Sequence, residues 1–460
     1  MAHDPPKKVR SSRLSRVAMI GGMAARLAGD AATAAGRLAT SASSDAATAA
    51  LHKGVSKTLA KHLGEMKGLP MKLGQLLSYI DDFVPPEHRE TYRETLRDLQ
   101  VRSRPMLWES IEEMMRQDLG ALPDEIFDNF DRTPIAAASI GQVYRATLPM
   151  DMENEADRGL QVAVKVQYPG IAEAIQSDLK NIDSLVRAFQ VALPKVDIKQ
   201  SLLDVSSRVI EECDYAAEMN HQQAFVRAWA DNPQMVVPRV IPSLCGPRVL
   251  TTEFVEGLRW DEMLAQSTPE QRSEYGLAIF RFVFHSMYVH GRFNGDPHPG
   301  NYLFLPEGRV AFLDFGCVQT YDRSSLERFA NVRNVAAAGV RGPKFREAAI
   351  DAYGLPADAD DEMWAAFEDY LCLCFEPLLA PQPYRYSRDF TSRLANRTME
   401  MKLLVAKKIF KVGIFDTKRP GSVFLHRINF GLNSILAQLG AEADWPAEVD
   451  LIYRAAGLEV

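Results

Sequence analysis

Apolar and polar residues alternate in short runs through the middle of the chain. One run covers Val143 to Leu148, and a second, Gln161 to Gln167, follows a polar insertion. Two further apolar runs, Tyr302 to Leu305 and Arg309 to Leu313, flank a Pro-Glu-Gly turn. A period of two residues puts one face of a strand into a core. The pattern therefore predicts strands over these runs and a β-hairpin at the turn.

Apolar residues at helical spacing occupy much of the remaining sequence. They recur at intervals of three and four between residues 51 and 120, and again from Pro269 to His290. Ser324-Ser-Leu-Glu327 has the pattern of a capping box, which predicts a helix from there to about Ala338. Helices broken by Gly-Leu-Pro and Pro-Gln-Pro are expected over 340–438. The expected fold class is α+β.

The length of the chain adds an expectation about domains. At 460 residues it exceeds the usual single domain of about 100 to 200 residues, so two lobes with extensions are expected. We predict a flexible or weakly amphipathic basic tail over 1–50 and a helical extension over 51–120. A strand-rich lobe over 121–257 and a mainly helical lobe over 258–460 follow.

Charge is distributed unevenly along the chain. The formal net charge is −7, but residues 1–75 carry twelve Lys and Arg against four acids, which leaves −15 on the rest. A basic head on an acidic body argues against a nucleic-acid partner and allows contact between the head and anionic membrane lipids. Residues 16–28 are expected to form only a weak amphipathic helix, with too few apolar side chains for firm insertion.

Five cysteines bear on the cellular setting. They form no C-x-x-C pair, and Cys372-Leu-Cys374 lies in an apolar run that favours core packing over a metal site. Reduced thiols and a cytoplasmic location are therefore expected, with membrane contact, if any, at the surface.

Three side chains around the predicted hairpin have the chemistry of a magnesium-nucleotide site. Asp296 is followed by Asn301 five residues later and by Asp314, the start of Asp-Phe-Gly, thirteen residues after that. Either pattern alone is common, but their order and the hairpin between them favour a kinase-type site. There Asp296 would act as the base or orient water, and Asn301 and Asp314 would bind magnesium. His298 is better interpreted as a residue that shapes the loop.

Lys165 lies at the end of a Val-Ala-Val-Lys pattern on a predicted strand. Kinases keep a lysine there to bind the α- and β-phosphates, although a lysine exposed on an edge strand has the same pattern. A helix between Ile198 and Arg227 offers partner carboxylates: Glu211, Glu212, Asp214 and Glu218. The backbone between Glu253 and Val255 is the expected hinge that hydrogen-bonds an adenine edge.

These motifs together resemble the UbiB family of atypical protein-kinase-like proteins, also called the ADCK or AarF group. The resemblance spans roughly residues 55 to 440. Lys72-Leu-Gly-Gln75 is similar to the K-x-G-Q signature and Glu212-Cys-Asp214 to the E-x-D signature. An Ala-rich loop replaces the kinase Gly-rich loop at Ala136, Ala137, Ala138 and Ser139. The resemblance also assigns Glu218 as the carboxylate that pairs with Lys165.

The resemblance implies a two-lobed protein-kinase-like fold with a helical N-terminal extension. It implies ATP and Mg²⁺ as cofactors, ATPase activity, and support of coenzyme Q or other isoprenoid-lipid metabolism, with a quinone-precursor lipid as a candidate partner. Lys72 and Gln75, with Glu212 and Asp214, would form an inhibitory or regulatory gate. Asn294-Gly295 stands where kinases carry His-Arg, which argues against a standard protein-kinase mechanism. The C-terminal membrane helices of some relatives are not expected here.

Two other function classes stay open at the level of sequence. The loop Gly295-Asp296-Pro-His-Pro-Gly-Asn301 also resembles that of small-molecule phosphotransferases such as aminoglycoside and choline kinases. A nucleotide-binding scaffold without turnover is the third class. After Gly316 there is no long activation segment and no Ala-Pro-Glu, which disfavours a protein substrate.

Overall fold

The chain divides into two compact units in a computed structural model. That structure describes residues 12–40, 53–58, 106–137, 140–183, 212–408 and 428–459, with the single residues 9, 61, 186 and 210. The first unit comprises Met1–Asn220 and Arg239–Phe254, and the second comprises His221–Pro238 and Val255–Val460. Lys72, Gln75, Ala138, Ser139 and most of the predicted 51–120 extension lie outside the described residues. The four-part division of the sequence stays a prediction.

Helices and strands both occur among the described residues, as the expected α+β class requires. The strands are β1 Asn129–Phe130, β2 Ala136–Ala137, β3 Gly141–Thr147, β4 Gln161–Gln167, β5 Met235–Val236, β6 Val249–Glu253, β7 Arg292–Asn294, β8 Tyr302–Phe304, β9 Val310–Phe312, β10 Val318–Thr320, β11 Tyr384–Arg385 and β12 Glu442–Ala443. The helices are α1 Arg13–Thr40, α2 Trp108–Leu119, α3 Pro123–Ile126, α4 Ile171–Lys180, α5 Tyr215–Trp229, α6 Trp260–Gln266, α7 Pro269–Tyr288, α8 Arg323–Ala337, α9 Pro343–Tyr353, α10 Asp361–Cys374, α11 Glu376–Leu379, α12 Arg388–Lys408, α13 Asn433–Leu439 and α14 Trp445–Ala455.

An antiparallel five-stranded sheet organises the first unit. Four strands run in the order β1-β3-β4-β6, and β2 also pairs with β3. On β4 the side chains of Val162, Val164 and Val166 are fully buried, whereas those of Ala163 and Lys165 between them are only partly buried. This alternation confirms the strands predicted at Val143 to Leu148 and Gln161 to Gln167.

Helix α1 packs into the core of the first unit, whereas the sequence predicts a flexible or weakly amphipathic basic tail over 1–50. Ile20, Met23 and Leu27 follow each other at helical spacing and are at most 2% exposed. Each such burial contributes about 1.5–3 kcal/mol of transfer free energy. The apolar face that looks too weak for a membrane is therefore a protein-packing face. α1 contacts α4, which lies more than a hundred residues later in the sequence.

A buried ion pair also joins α1 to α4. Arg16 Nε donates a hydrogen bond of 2.7 Å to Asp178 Oδ1, and Arg16 Nη2 contacts Asp178 Oδ2. Both side chains are at most 1% exposed. Burial raises the pKa of the Asp178 carboxyl to about 6, against the lowering effect of Arg16. One residue of the predicted basic head is thus a structural cation inside the protein.

The second unit is mainly helical and forms around α7. Thr268 Oγ1 accepts a hydrogen bond from Gln271 N while the Gln271 side chain accepts one from Thr268 N, so a capping box starts this helix. The Phe282 ring on α7 stacks on Phe312 of β9 with ring centroids 3.5 Å apart. No helix within the described ranges combines the length and the hydropathy of a membrane span.

The hairpin predicted around Pro-Glu-Gly is confirmed. β8 pairs antiparallel with β9, with Tyr302 opposite Phe312, and β5 adds to β9 in parallel. The two central turn residues, Glu307 and Gly308, have φ of 63° and 69°, which matches a two-residue hairpin turn.

The predicted start of the next helix is wrong by two residues. Asp322, not Ser324, caps α8: its Oδ1 accepts a hydrogen bond of 2.7 Å from Ser325 N. Glu327 pairs with Arg323 instead of reaching back to a cap residue. An aspartate at the cap position satisfies the first free N–H groups as well as a serine does, so the earlier residue prevails.

Candidate functional site

Lys165 and Glu218 form an ion pair inside the first unit. Lys165 Nζ lies 2.7 Å from Glu218 Oε1 and 2.9 Å from Oε2. The Glu218 side chain is 1% exposed and that of Lys165 is 19% exposed. Lys165 Nζ also lies 5.0 Å from the centre of the Tyr215 ring, which adds a cation–π contact. The structure thus brings together the lysine and the carboxylate that the sequence comparison with UbiB proteins pairs.

The start of α5 fixes the position of Glu218. Asp214 Oδ1 accepts a hydrogen bond of 2.9 Å from Ala217 N, the arrangement of a helix N-cap. Gln167 on β4 is 2% exposed, and its Nε2 donates a bond of 2.7 Å to the carbonyl of Cys213. Hydrogen bonds to strand β4 and to helix α5 therefore fix the segment that carries the E-x-D signature. Burial, together with the charge of Glu212, raises the pKa of the Cys213 thiol to about 12.

The Ala-rich segment begins as a strand. Ala136 and Ala137 form β2, which pairs with Val143 and Gln142 of β3, whereas Ala138 and Ser139 lie outside the described residues. Gly141 is the first residue of β3. A Cβ at that position would lie 2.5 Å from the carbonyl oxygen of Val166, so only glycine allows β3 to approach β4 there.

Gln142 connects this segment to the start of α2. The fully buried side chain accepts a hydrogen bond from Met106 N through Oε1, and its Nε2 donates one of 2.6 Å to Tyr144 Oη. Strand β3 is therefore anchored by a buried polar network.

Glu253, at one end of the predicted hinge, has its carboxylate engaged within the first unit. Arg239 Nε donates to Glu253 Oε1 at 2.9 Å, and Arg239 N donates to Oε2 at 3.1 Å. Arg239 Nη1 also bonds Asp157 Oδ1 at 2.6 Å. The side chain of Glu253 is therefore structural, and any contact with an adenine edge is left to the backbone, as the hinge prediction states. Val255 begins the following segment of the second unit.

The second unit holds Asp296, Asn301 and Asp314 on two neighbouring loops. Asn301 Nδ2 donates to the Asp296 carbonyl oxygen at 2.9 Å and to Asp296 Oδ2 at 3.1 Å. Leu313 N donates to the Asn301 carbonyl oxygen at 3.0 Å, which ties the first loop to the strand that precedes Asp314. Asp314 Oδ1 accepts a bond of 2.9 Å from Gly316 N. The loops that carry these three residues are thus linked by hydrogen bonds.

The side chains of Phe315 and His298 shape these loops. Phe315 is fully buried, and its ring centroid lies 4.9 Å from that of Phe225. The buried ring anchors the loop on which Asp314 lies. His298 Nδ1 accepts a hydrogen bond of 2.9 Å from Gly300 N, which agrees with the loop-shaping role expected for it.

Asn294 is a site residue that the sequence reasoning missed. Its Nδ2 donates to the carbonyl oxygen of Asp314 at 2.8 Å, and its Oδ1 accepts from Asp296 N at 3.3 Å. The amide of Asn294 therefore links both loops. From the sequence, this position was identified only as one where kinases carry His-Arg. The residue type could have indicated this role, because a side-chain amide next to the loop can donate one hydrogen bond and accept another. β7, which ends at Asn294, pairs with β10 just after Gly316.

The donor set in the second unit fits magnesium. Mg²⁺ prefers oxygen ligands and is usually bound by one or two carboxylates together with substrate phosphates. Because Asn301 Nδ2 bonds Asp296, its amide oxygen is left to act as a ligand together with the carboxylate of Asp314. Within the described ranges, no group of three or more His, Cys, Asp or Glu side chains could hold a metal ion.

Comparisons with known proteins identify an atypical kinase-like family. A family model described as the ABC1 atypical kinase-like domain matches residues 98–338. The chain is 30% identical over 341 residues to the atypical kinase COQ8B, mitochondrial, of Rattus norvegicus, a match that covers 73% of this chain and 62% of the rat protein. It is 29% identical over 332 residues to the atypical kinase COQ8, mitochondrial, of Schizosaccharomyces pombe, which covers 72% and 52% of the two chains. The matches thus span less than two thirds of these relatives' lengths.

A solved structure is also similar. The complex of Rv3197 with erythromycin from Mycobacterium tuberculosis superposes with a TM-score of 0.57 at 28% sequence identity, over 89% of this chain and 98% of that one. The similarity extends well beyond the segment that the family model matches. It supports the kinase-like fold expected from the sequence motifs.

Proposed function

The chain belongs to the ABC1 atypical kinase-like family, and on that premise we propose that it binds Mg-ATP and hydrolyses it slowly. The observation that carries the proposal is the ion pair between Lys165 and the buried Glu218, at 2.7 Å. A lysine held by a buried helix carboxylate is the arrangement with which kinases bind nucleotide phosphates. In the proposed role, the activity supports isoprenoid-lipid metabolism, such as that of coenzyme Q or a related quinone.

Each proposed role follows from the chemistry of its residue. Lys165 binds the phosphates, and Glu218 holds its ammonium group in one position. Asn301 and Asp314 hold magnesium, which neutralises charge on the phosphates when it is bound. Asp296 orients or deprotonates the attacking group, and Asn301 fixes its orientation through the bond of 3.1 Å to Oδ2.

The nucleotide's other contacts are proposed from the backbone. The Ala-rich segment of Ala136, Ala137, Ala138 and Ser139 covers the phosphates. The main chain between Glu253 and Val255 hydrogen-bonds the adenine edge. Alanine has fewer backbone conformations than glycine, so this loop should hold nucleotide differently from a Gly-rich loop and restrain transfer. Glu212 and Asp214, with Lys72 and Gln75, are proposed to regulate turnover.

The acceptor is proposed to be water or a small molecule instead of a protein. β10 ends at Thr320 and α8 begins at Arg323, shortly after Gly316. This short connection leaves little chain to cradle an extended peptide. A small-molecule phosphotransferase is the second candidate, which the loop from Gly295 to Asn301 favours.

Phosphate release from Mg-ATP by the full chain tests the proposal. The assay compares wild type with Asp296→Asn and Lys165→Met, alone and with vesicles of anionic phosphatidylglycerol or neutral phosphatidylcholine. We expect slow turnover that falls at least about 100-fold in Asp296→Asn, the usual scale for a lost general base. Faster turnover with the anionic vesicles alone would support a peripheral lipid partner.

Matched controls separate the site from general effects of substitution. Lys180→Met makes the same change at an exposed lysine at the end of α4, and Asp361→Asn does so at a carboxylate that is 95% exposed. Both variants should keep wild-type turnover. Stoichiometric transfer of the γ-phosphate to an added alcohol would favour the phosphotransferase. Nucleotide binding without any turnover would refute the enzyme proposal and favour a scaffold.

A further inference from the structure

We infer that Gly431 positions the loop of Asp296, because its backbone packs against the ring of Pro297. Gly431 lies in a single π-helical turn, Ile428–Leu432, just before α13. Both residues belong to the second unit. The inference rests on the proposed function, since it names a residue that sets the geometry of the proposed catalytic carboxylate. Gly431 is a positioning residue and touches no reacting group.

The contact leaves no room for a side chain at Gly431. A Cβ built there would overlap Pro297 Cγ and would lie 3.2 Å from its Cδ and 3.5 Å from its Cβ. Real Cβ atoms do not approach a carbon within 3.0 Å, so either the turn or the loop would have to move. The nearest atoms belong to a five-membered ring with a fixed φ, which cannot rotate away as a long side chain could.

The turn around Gly431 is held firmly on its other side. Asn429 is 3% exposed, and its Nδ2 donates to Tyr370 Oη at 2.9 Å and to Cys374 Sγ at 3.1 Å. Leu432 and Leu436 are at most 1% exposed within the core of the unit. Moving the turn would break buried hydrogen bonds and core packing, so the strain is expected to fall on the loop.

The loop transmits a displacement of Pro297 directly to the proposed site. Pro297 is bonded to Asp296, whose carbonyl and carboxylate oxygens accept hydrogen bonds from Asn301. Asp296 N also donates to Asn294 Oδ1. A shift of the proline ring therefore changes the position of the carboxylate relative to its partners. Isolated π-helical turns often occur at functional sites, which agrees with this arrangement.

The test is a cycle of Gly431→Ala, Pro297→Ala and the double variant, measured by phosphate release from Mg-ATP. A misplacement of about 1 Å can cost about 100-fold in rate. We expect Gly431→Ala to lower kcat at least tenfold with KM for Mg-ATP changed less than about threefold. Pro297→Ala removes Cγ and Cδ and leaves Cβ, which lies at an ordinary contact distance. In that background the added methyl group should lower kcat less than about threefold.

The control is Gly22→Ala on α1, where a Cβ would meet nothing within 4 Å. It should leave kcat unchanged. Thermal unfolding of wild type, Gly431→Ala, Pro297→Ala and the double variant reports whether Gly431→Ala has instead unfolded the unit. If Gly431→Ala loses stability and rate together, and Pro297→Ala does not relieve these losses, the inference is overturned. Equal kcat in wild type and Gly431→Ala would overturn the inference alone. Absence of turnover in wild type would overturn the proposed function and, with it, the inference.

Discussion

Replacing Lys165 by Met measures how strongly the first unit depends on the ion pair with Glu218. At 2.7 Å, the Coulomb attraction is roughly 6 kcal/mol at an effective dielectric constant of 20. Desolvation offsets part of it, but Glu218 is 1% exposed and would be left buried without its lysine. Breaking a buried pair on one side costs about 3–5 kcal/mol. For a unit of this size, that corresponds to a fall in Tm of about 6–20 °C.

Thermal unfolding followed by far-UV circular dichroism distinguishes the lost charge from lost packing. In Lys165→Met/Glu218→Gln the buried amide needs no counter-charge, so the double variant should unfold well above Lys165→Met. The exposed substitution Lys180→Met should change stability by less than about 0.5 kcal/mol. The reasoning is refuted if Lys165→Met unfolds within about 2 °C of wild type, or if the double variant is less stable than Lys165→Met.

Three further predictions concern stability. Arg16→Met should cost about 3–5 kcal/mol in urea unfolding, and Arg16→Met/Asp178→Leu should recover most of it; equal losses in both variants would contradict the pairing. Burial, and then the charge of His290, lower the pKa of His285 below 6.5 in the folded protein. As the pH falls, this histidine is therefore protonated in the unfolded chain before it is protonated in the folded one. Stability should therefore fall as pH drops below about 6.5, and His285→Phe should flatten the slope measured between pH 7 and 5.5; an unchanged slope would exclude this histidine as the cause. Asp322→Ala should cost about 1 kcal/mol as a lost N-cap, and Ser324→Ala should cost much less in the same thermal scans.

Features with short sequence periods were predicted well. The strand that carries Lys165 and the hairpin after Asn301 follow from alternating residues and turn chemistry within about ten positions. Such patterns depend on neighbours along the chain, which a single sequence displays in full. The motif order around Asp296 likewise indicated which loops the hairpin would bring together.

Features that depend on distant partners were missed. Arg16 on α1 is buried in an ion pair with Asp178, which lies 162 positions further along the chain. The residues next to Arg16 in the sequence therefore suggest only a solvated basic segment. The contact between Gly431 and Pro297 joins residues 134 positions apart. Asn294 bonds the carbonyl oxygen of Asp314, 20 positions later, as well as the nearby Asp296 N, and the comparison with the kinase pattern does not show the more distant bond. Three-dimensional packing decides these cases.

The most direct test of the central claim is the affinity for ATP by calorimetry, with Mg²⁺ and with EDTA, for wild type and Asp314→Asn. If Asp314 holds magnesium on the nucleotide, wild type should bind ATP more tightly with Mg²⁺, and Asp314→Asn should lose at least about tenfold of that gain. Asp361→Asn, at an exposed carboxylate, should match wild type. Equal binding of Mg-ATP by Asp314→Asn and wild type would contradict the metal assignment and the kinase-type site built on it.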